Sequence, residues 1–66
     1  MPSYKSQAIL LAQSCQAVGK VMEKLARVTE SIKFYTQGKN IIEQVFGTQH
    51  PLFKECIDLM STARSK

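Results

Sequence analysis

Apolar residues recur along this chain with the spacing of an α-helix, about 3.6 residues per turn. In the first third of the chain the apolar positions advance in alternating steps of four and three: Tyr4, Ala8, Leu11, Cys15, Val18, Met22 and Leu25. These steps place all seven on one helical face, so the pattern predicts a helix over residues 4–26 with this stripe facing the core. Pro2 and Ser3 suit a helix start, because proline is tolerated there and serine can cap.

A second helical pattern predicts a helix over residues 30–46. Its stripe is Ile32, Tyr35, Ile42 and Val45, flanked by Phe34, Ile41 and Phe46. Gly47 follows, and glycine is a favourable residue just past a helix end. Gly38 lies inside the predicted helix, where glycine costs about 1 kcal/mol relative to alanine. We therefore expect another helix to approach closely at Gly38.

A third helix is predicted over residues 51–63. Pro51 fits the first turn of this helix, and its ring disfavours helical geometry at His50. The apolar positions are Leu52, Phe53, Cys56, Ile57, Leu59 and Met60. No strand pattern competes, so we expect an all-α fold of three antiparallel helices forming a single domain over residues 1–66.

The boundary between the first two helices is left open by the sequence. Val28, Thr29, Glu30 and Ser31 form a mostly polar segment that suggests a break, with Thr29 or Ser31 capping the second helix. No glycine or proline forces a stop between residues 26 and 31, so a single kinked helix is the alternative.

Length and charge restrict the functional classes. A domain of 66 residues is marginally stable alone and can depend on a partner. The net charge of +4 leaves a small basic helical bundle that binds nucleic acid as an alternative function, although the nine lysine and arginine residues are scattered along the chain. No apolar run has the length of a secretory or membrane-spanning segment, so we expect an intracellular protein with no membrane partner.

Candidate catalytic and metal-binding groups are few. Cys15, Cys56 and His50 are too few and too widely spaced for a structural zinc site. We interpret both cysteines as small core residues, with a Cys15–Cys56 disulfide as the alternative, and His50 as a connector or helix-entry residue. We expect no catalytic activity, no metal and no cofactor.

The stretch from Cys15 to Pro51 resembles a tetratricopeptide (TPR) unit of the kinesin-light-chain type. The residues that carry the resemblance are Cys15, Val18, Gly19, Met22, Ser31, Tyr35 and Gly38, followed by the run Phe46-Gly47-Thr48-Gln49-His50-Pro51. Val18-Gly19-Lys20 and the segments Ile42–Pro51 and Leu52–Met60 also resemble the C-terminal helical domain of SET-and-MYND lysine methyltransferases. Ala26 stands where TPR units have a turn glycine, and the SET and MYND parts have no counterpart.

The resemblance implies a TPR-like helical hairpin with a capping third helix, and no methyltransfer. It implies a partner groove lined by Gln13, Gln16, Lys20 and Glu23, of which only Lys20 resembles a basic clamp for acidic peptide ends. Repeat proteins usually need three or more units to bury both faces. We therefore expect a non-catalytic protein–protein interaction or assembly module that self-associates as a homo-oligomer or docks on a larger helical protein partner.

Overall fold

The computed structural model describes residues 4–65, which form three helices: α1 (Tyr4–Lys24), α2 (Val28–Phe46) and α3 (Pro51–Arg64). No strand occurs in this range, so the predicted all-α fold is confirmed, with helix ends within two residues of those expected. Pro2 and Ser3, predicted to begin the first helix, lie outside the described residues, as does Lys66.

The helices run antiparallel in sequence order. α2 packs against both α1 and α3, whereas α1 and α3 touch each other only slightly. Gly38 lies where both α1 and α3 approach α2, near the carbonyl oxygen of Ala12 and the Cys56 sulfur. A Cβ atom at Gly38 would lie 3.3 Å from the first atom and 3.4 Å from the second. The expected close helix approach at Gly38 is therefore confirmed, and α3 covers α2 as the predicted capping helix.

Small residues form most of the contact surface of α1. Its buried residues are Ala8, Ala12, Gln16 and Gly19, which follow one another at intervals of four, four and three. The ring of Tyr35, fully buried, occupies the space above Gly19, where an added Cβ would lie 2.5 Å from the nearest ring carbon. Such close packing is possible only because α1 presents almost no side chain there.

The predicted core stripe of α1 is therefore partly wrong. Ala8 is buried, and Cys15 and Met22 are half-buried, but Leu11, Val18 and Leu25 are exposed. The contacting side of the helix is rotated away from the largest apolar residues. The physical reason is that alanines and glycine permit a closer backbone approach than leucine and valine do, so α2 packs on the small residues.

The link between α1 and α2 also differs from the prediction. Residues 28–31 form the first turn of α2, and the break lies at residues 25–27. The N-cap of α2 is Arg27, without a side-chain hydrogen bond, so the predicted cap by Thr29 or Ser31 is wrong. Ala26 has φ 63°, its amide donates to the Glu23 carbonyl at 3.0 Å, and the Arg27 amide donates to the Met22 carbonyl at 2.8 Å. This pair of bonds is a Schellman motif, which ends α1 without glycine or proline.

The second link follows the predicted chemistry more closely. Gly47 has φ 85°, and its amide donates to the carbonyl of Glu43 at 3.0 Å, which closes α2. His50 is the N-cap of α3, and Pro51 occupies the first turn of that helix. Glycine at positive φ and proline at a helix start are both conformations these residues adopt readily.

Candidate functional site

The four residues implied as a partner groove do not share one environment. Gln13 and Lys20 are exposed, Glu23 is half-buried, and Gln16 is buried with 6% of its surface accessible. The Gln16 Nε2 donates to the Cys56 sulfur at 3.2 Å, which joins α1 to α3. Gln16 therefore holds the third helix in place and offers little surface to a partner.

Lys20 and Glu23 line a shallow cleft of about 320 Å³ between α1 and α3, together with Lys24, Leu59 and Thr62. The cleft combines an apolar floor at Leu59 with two lysines. A site of this size and composition can accept a side chain or a chain end rather than an enclosed small molecule. Gln13 is not among the residues that line it.

Glu23 also has a role inside the fold. The Tyr35 hydroxyl donates to the Glu23 Oε1 at 2.5 Å, which ties the centre of α2 to the end of α1. Burial of the phenol, and secondly this bond to the carboxylate, raise the pKa of Tyr35 to about 12. The Glu23 carboxylate therefore anchors a buried tyrosine as well as lining the cleft.

Both cysteines are free thiols, with Cys15 half-buried and Cys56 buried. The interpretation of the cysteines as core residues is confirmed for Cys56, whereas Cys15 is only half-buried, and the structure does not contain the alternative disulfide. Burial raises the pKa of both thiols above the ordinary value of 9.0. Because the thiolate is the reactive form, neither sulfur has the properties of an activated nucleophile at neutral pH.

His50 is a structural residue at the start of α3, as predicted. Its Nδ1 accepts a hydrogen bond from the Leu52 amide at 3.1 Å. Its ring lies against Phe46, with 4.5 Å between the ring centroids. One imidazole nitrogen is thus occupied by a helix cap, and the ring covers the end of α2.

Metal-binding and membrane-spanning features do not occur in the part of the chain that the structure describes. There, histidine, cysteine, aspartate and glutamate side chains form no group of three or more that could hold a metal ion. Within residues 4–65, the helices also lack the length and apolar character needed to cross a membrane.

The most distinctive surface is the side of α1 that points away from α2, which we call the outer face. It consists of Tyr4, Leu10, Leu11, Val18 and Val21 of α1, together with Leu25 directly after the helix, and the five aliphatic residues expose between 37% and 62% of their surface. Single exposed apolar residues are normal, but several large ones grouped on one side of a helix make that side a candidate interaction site. Sequence reasoning assigned most of these residues to the core.

A signal for the outer face was present in the sequence. Ala8, Ala12 and Gly19 share one side of α1, which identifies a second, small-residue stripe beside the large apolar one. A helix with two such stripes has two candidate contact sides. The small-residue stripe is the one that α2 occupies in the structure, and the larger apolar residues are left for another contact.

Comparison with known proteins gives no relative from which function can be transferred: no family model, no curated protein and no solved structure matches this chain. The fold and the surfaces described above are therefore the basis for a functional assignment.

Proposed function

We propose that this chain is a non-catalytic protein–protein interaction module that uses the outer face of α1 to dock on another helical surface. The observation that carries the proposal is the exposure of the five aliphatic side chains of this face. Fully burying an exposed leucine or valine side chain is worth about 1.5–3 kcal/mol. These five side chains are already partly buried, so each offers only a fraction of that value, and their number on one side of the helix favours association.

The state of the reactive side chains supports a non-catalytic role. The thiols of Cys15 and Cys56 have raised pKa values because they are buried. His50 caps a helix, and Glu23 binds the Tyr35 hydroxyl. Each of these four side chains thus has a structural role inside the fold.

The resemblance to a TPR unit fits the same proposal. The resemblance assigns Gly38 to a small-residue site where helices meet closely, and Gly38 lies near both the Ala12 carbonyl oxygen and the Cys56 sulfur. Such units act by stacking on neighbouring helices and by binding peptides in a groove. Gln13, Lys20 and Glu23 remain the proposed groove contribution, with Gln16 as their support, and Lys20 is the residue suited to an acidic chain end.

Affinity capture from native extract tests the proposal. The parent chain is compared with a double variant, Leu11→Gln with Val21→Gln, and with Asn40→Gln, an exposed control on α2. Glutamine is a good helix former, so the substitutions keep the helix and remove only apolar surface. A fourth sample, Lys20→Gln, measures how much the cleft at Lys20 contributes to partner capture.

Tagged copies of the chain are added to the extract. We expect the double variant to lose both these copies and the other proteins that the parent captures, and Asn40→Gln to retain them. Equal capture by the parent and by the double variant would exclude the outer face as the docking surface. A parent that captures nothing and does not self-associate would overturn the proposed function as a whole.

A further inference from the structure

We infer that the partner of the outer face is the same face of a second copy of this chain, so that two α1 helices pair across a two-fold axis. This inference rests on the proposed function and names its partner. Four observations support it: the spacing of the exposed residues, the absence of charge among them, the matching polar positions of two identical α1 helices, and the exposed area of the outer face.

The spacing is that of a helix-pairing seam. Starting at Tyr4, every third and then fourth position is exposed: Tyr4, Gln7, Leu11, Ser14, Val18, Val21 and Leu25. This is the three-four alternation of a heptad repeat, which turns one line of side chains toward a second helix. The amide of Leu25 donates to the Val21 carbonyl at 3.0 Å, so the helical geometry persists to the end of the seam.

The seam carries no charge. None of its seven residues is charged at neutral pH, and the adjoining positions Leu10 and Ala17 are also uncharged, whereas Lys24 lies at its border. Charges beside a seam normally select one partner and reject others. The seam therefore contains no charged residue that would select a foreign helix. Two copies of this chain, each with a net charge of +4, meet through a surface that adds no charge repulsion of its own.

The polar positions also suit a pair of identical helices. Gln7 and Ser14 interrupt the apolar seam in its first half. In its second half three successive seam positions are apolar: Val18, Val21 and Leu25. Polar residues inside a helical seam set register, because burying them is tolerated only where they find a polar partner. In a parallel two-fold pair, Gln7 and Ser14 of one copy meet the same two residues of the other, along two α1 helices of 21 residues each.

The area is sufficient for a small dimer. The six apolar residues of the outer face expose on the order of 500 Å², taking roughly 60–120 Å² for each aliphatic side chain. The flanking Gln7, Ser14 and Ala17 enlarge the contact. Two copies that pair through this face therefore bury on the order of 1,000 Å² in total, which reaches the lower limit of about 1,000 Å² for a specific interface and suits an association of weak to moderate affinity.

Sedimentation of the purified chain tests the inference over a concentration series from about 1 µM to about 1 mM, the range of weak to moderate association. We expect the mass to rise from the 7.4 kDa of one chain to twice that value. Val21→Lys, which places a cation in the seam, should raise the dissociation constant at least tenfold. Asn40→Lys adds the same charge on α2 and should leave it unchanged.

Disulfide cross-linking provides a second readout that does not depend on charge. Ser14 lies at the middle of α1 and on the seam, so Ser14→Cys is close to its own copy in either orientation of a two-fold pair. Asn40→Cys, at the exposed control position on α2, is the matched control. Under mild oxidation we expect a covalent dimer for Ser14→Cys, and no more for Asn40→Cys than for the parent.

A chain that remains monomeric to about 1 mM, or a covalent dimer that forms equally from both cysteine variants, would overturn the inference. These failures are separable from failure of the proposed function. If the purified chain is monomeric but extract capture still depends on Leu11 and Val21, the outer face binds a different protein, and the interaction function stands without the second copy.

Discussion

Ala26 occupies the left-handed conformation where α1 ends, with φ 63°. For a residue with a Cβ atom this conformation costs roughly 1–2 kcal/mol, because Cβ approaches the following carbonyl oxygen. The two hydrogen bonds of the Schellman motif, from the amides of Ala26 and Arg27, hold it in place. The first helix therefore ends at a residue whose positive φ is strained, and glycine at this position would not have that strain.

Replacement of Ala26 by glycine should therefore stabilise the protein. We expect Ala26→Gly to raise the free energy of unfolding by roughly 1 kcal/mol, since relief of the left-handed strain exceeds the added backbone entropy of glycine. The melting temperature should rise by about 4–8 °C for a domain of this size. Thermal unfolding followed by circular dichroism measures the change.

The matched control is the same substitution in ordinary helical geometry. Ala17→Gly, at an exposed position of α1, should lower the free energy of unfolding by about 1 kcal/mol through loss of helix propensity. If both glycine variants are destabilised to the same extent, Ala26 is not strained, and the left-handed conformation at the end of α1 carries no cost.

At the scale of elements, three of the helix ends are stabilised by three different local interactions. α1 ends in the Schellman motif, α2 ends at Gly47 with φ 85°, and α3 begins at the His50 cap. His50 is unusual among caps, because an imidazole nitrogen replaces the usual hydroxyl or carboxylate oxygen. Its ring also contacts Phe46, so one residue links the end of α2 to the start of α3.

Removal of this cap should weaken the third helix. We expect His50→Ala to lower the free energy of unfolding by at least about 1 kcal/mol, the usual cost of losing a cap, with a further loss from the contact with Phe46. His50→Asn restores a side-chain acceptor but not the ring, so its stability should lie between those of the parent and His50→Ala. Urea unfolding, monitored by circular dichroism, measures both variants.

The critical result is the order of the free energies of unfolding of the parent, His50→Asn and His50→Ala. An asparagine variant as unstable as the alanine variant would mean that the ring contact, and not the bond from the Leu52 amide, accounts for the role of His50. No loss in either variant would mean that the start of α3 is fixed by Pro51 and by packing alone.

At the scale of the whole molecule, the bond between Tyr35 and Glu23 joins the two longest helices at a buried point. The Tyr35 hydroxyl keeps its proton in the folded state up to a pKa of about 12, whereas the ordinary value is 10.0. The folded chain therefore holds a proton that the unfolded chain loses at a lower pH. The stability this provides is complete below pH 10.0 and disappears as pH rises to about 12.

We therefore expect the free energy of unfolding of the parent to fall steeply between about pH 10 and about pH 12. In Tyr35→Phe, the part of this fall that belongs to the phenol should be absent, although the variant is less stable at neutral pH because it lacks the bond to Glu23. The two cysteines, whose pKa values are also raised, contribute equally in both proteins. Urea unfolding at a series of alkaline pH values measures the difference, and parallel curves for the two proteins would contradict it.

The sequence by itself determined the number and type of elements, the glycine end of α2 and the proline start of α3. These are local properties: helical periodicity depends on neighbours a few residues apart, and the conformations of Gly47 and Pro51 depend on their own covalent structure. The close approach at Gly38 was also predictable, because an interior helical glycine is costly unless another element needs the space.

Only the tertiary structure decided which side of α1 is inside, where the first turn lies and what Gln16 and Glu23 contact. α1 has apolar or small residues round most of its circumference, and periodicity alone cannot tell a stripe that packs inside the chain from one left for a partner. The choice depends on how closely α2 can approach, which Ala12, Gly19 and Tyr35 determine together across 23 residues of sequence. Such contacts between distant residues exist only in the folded chain.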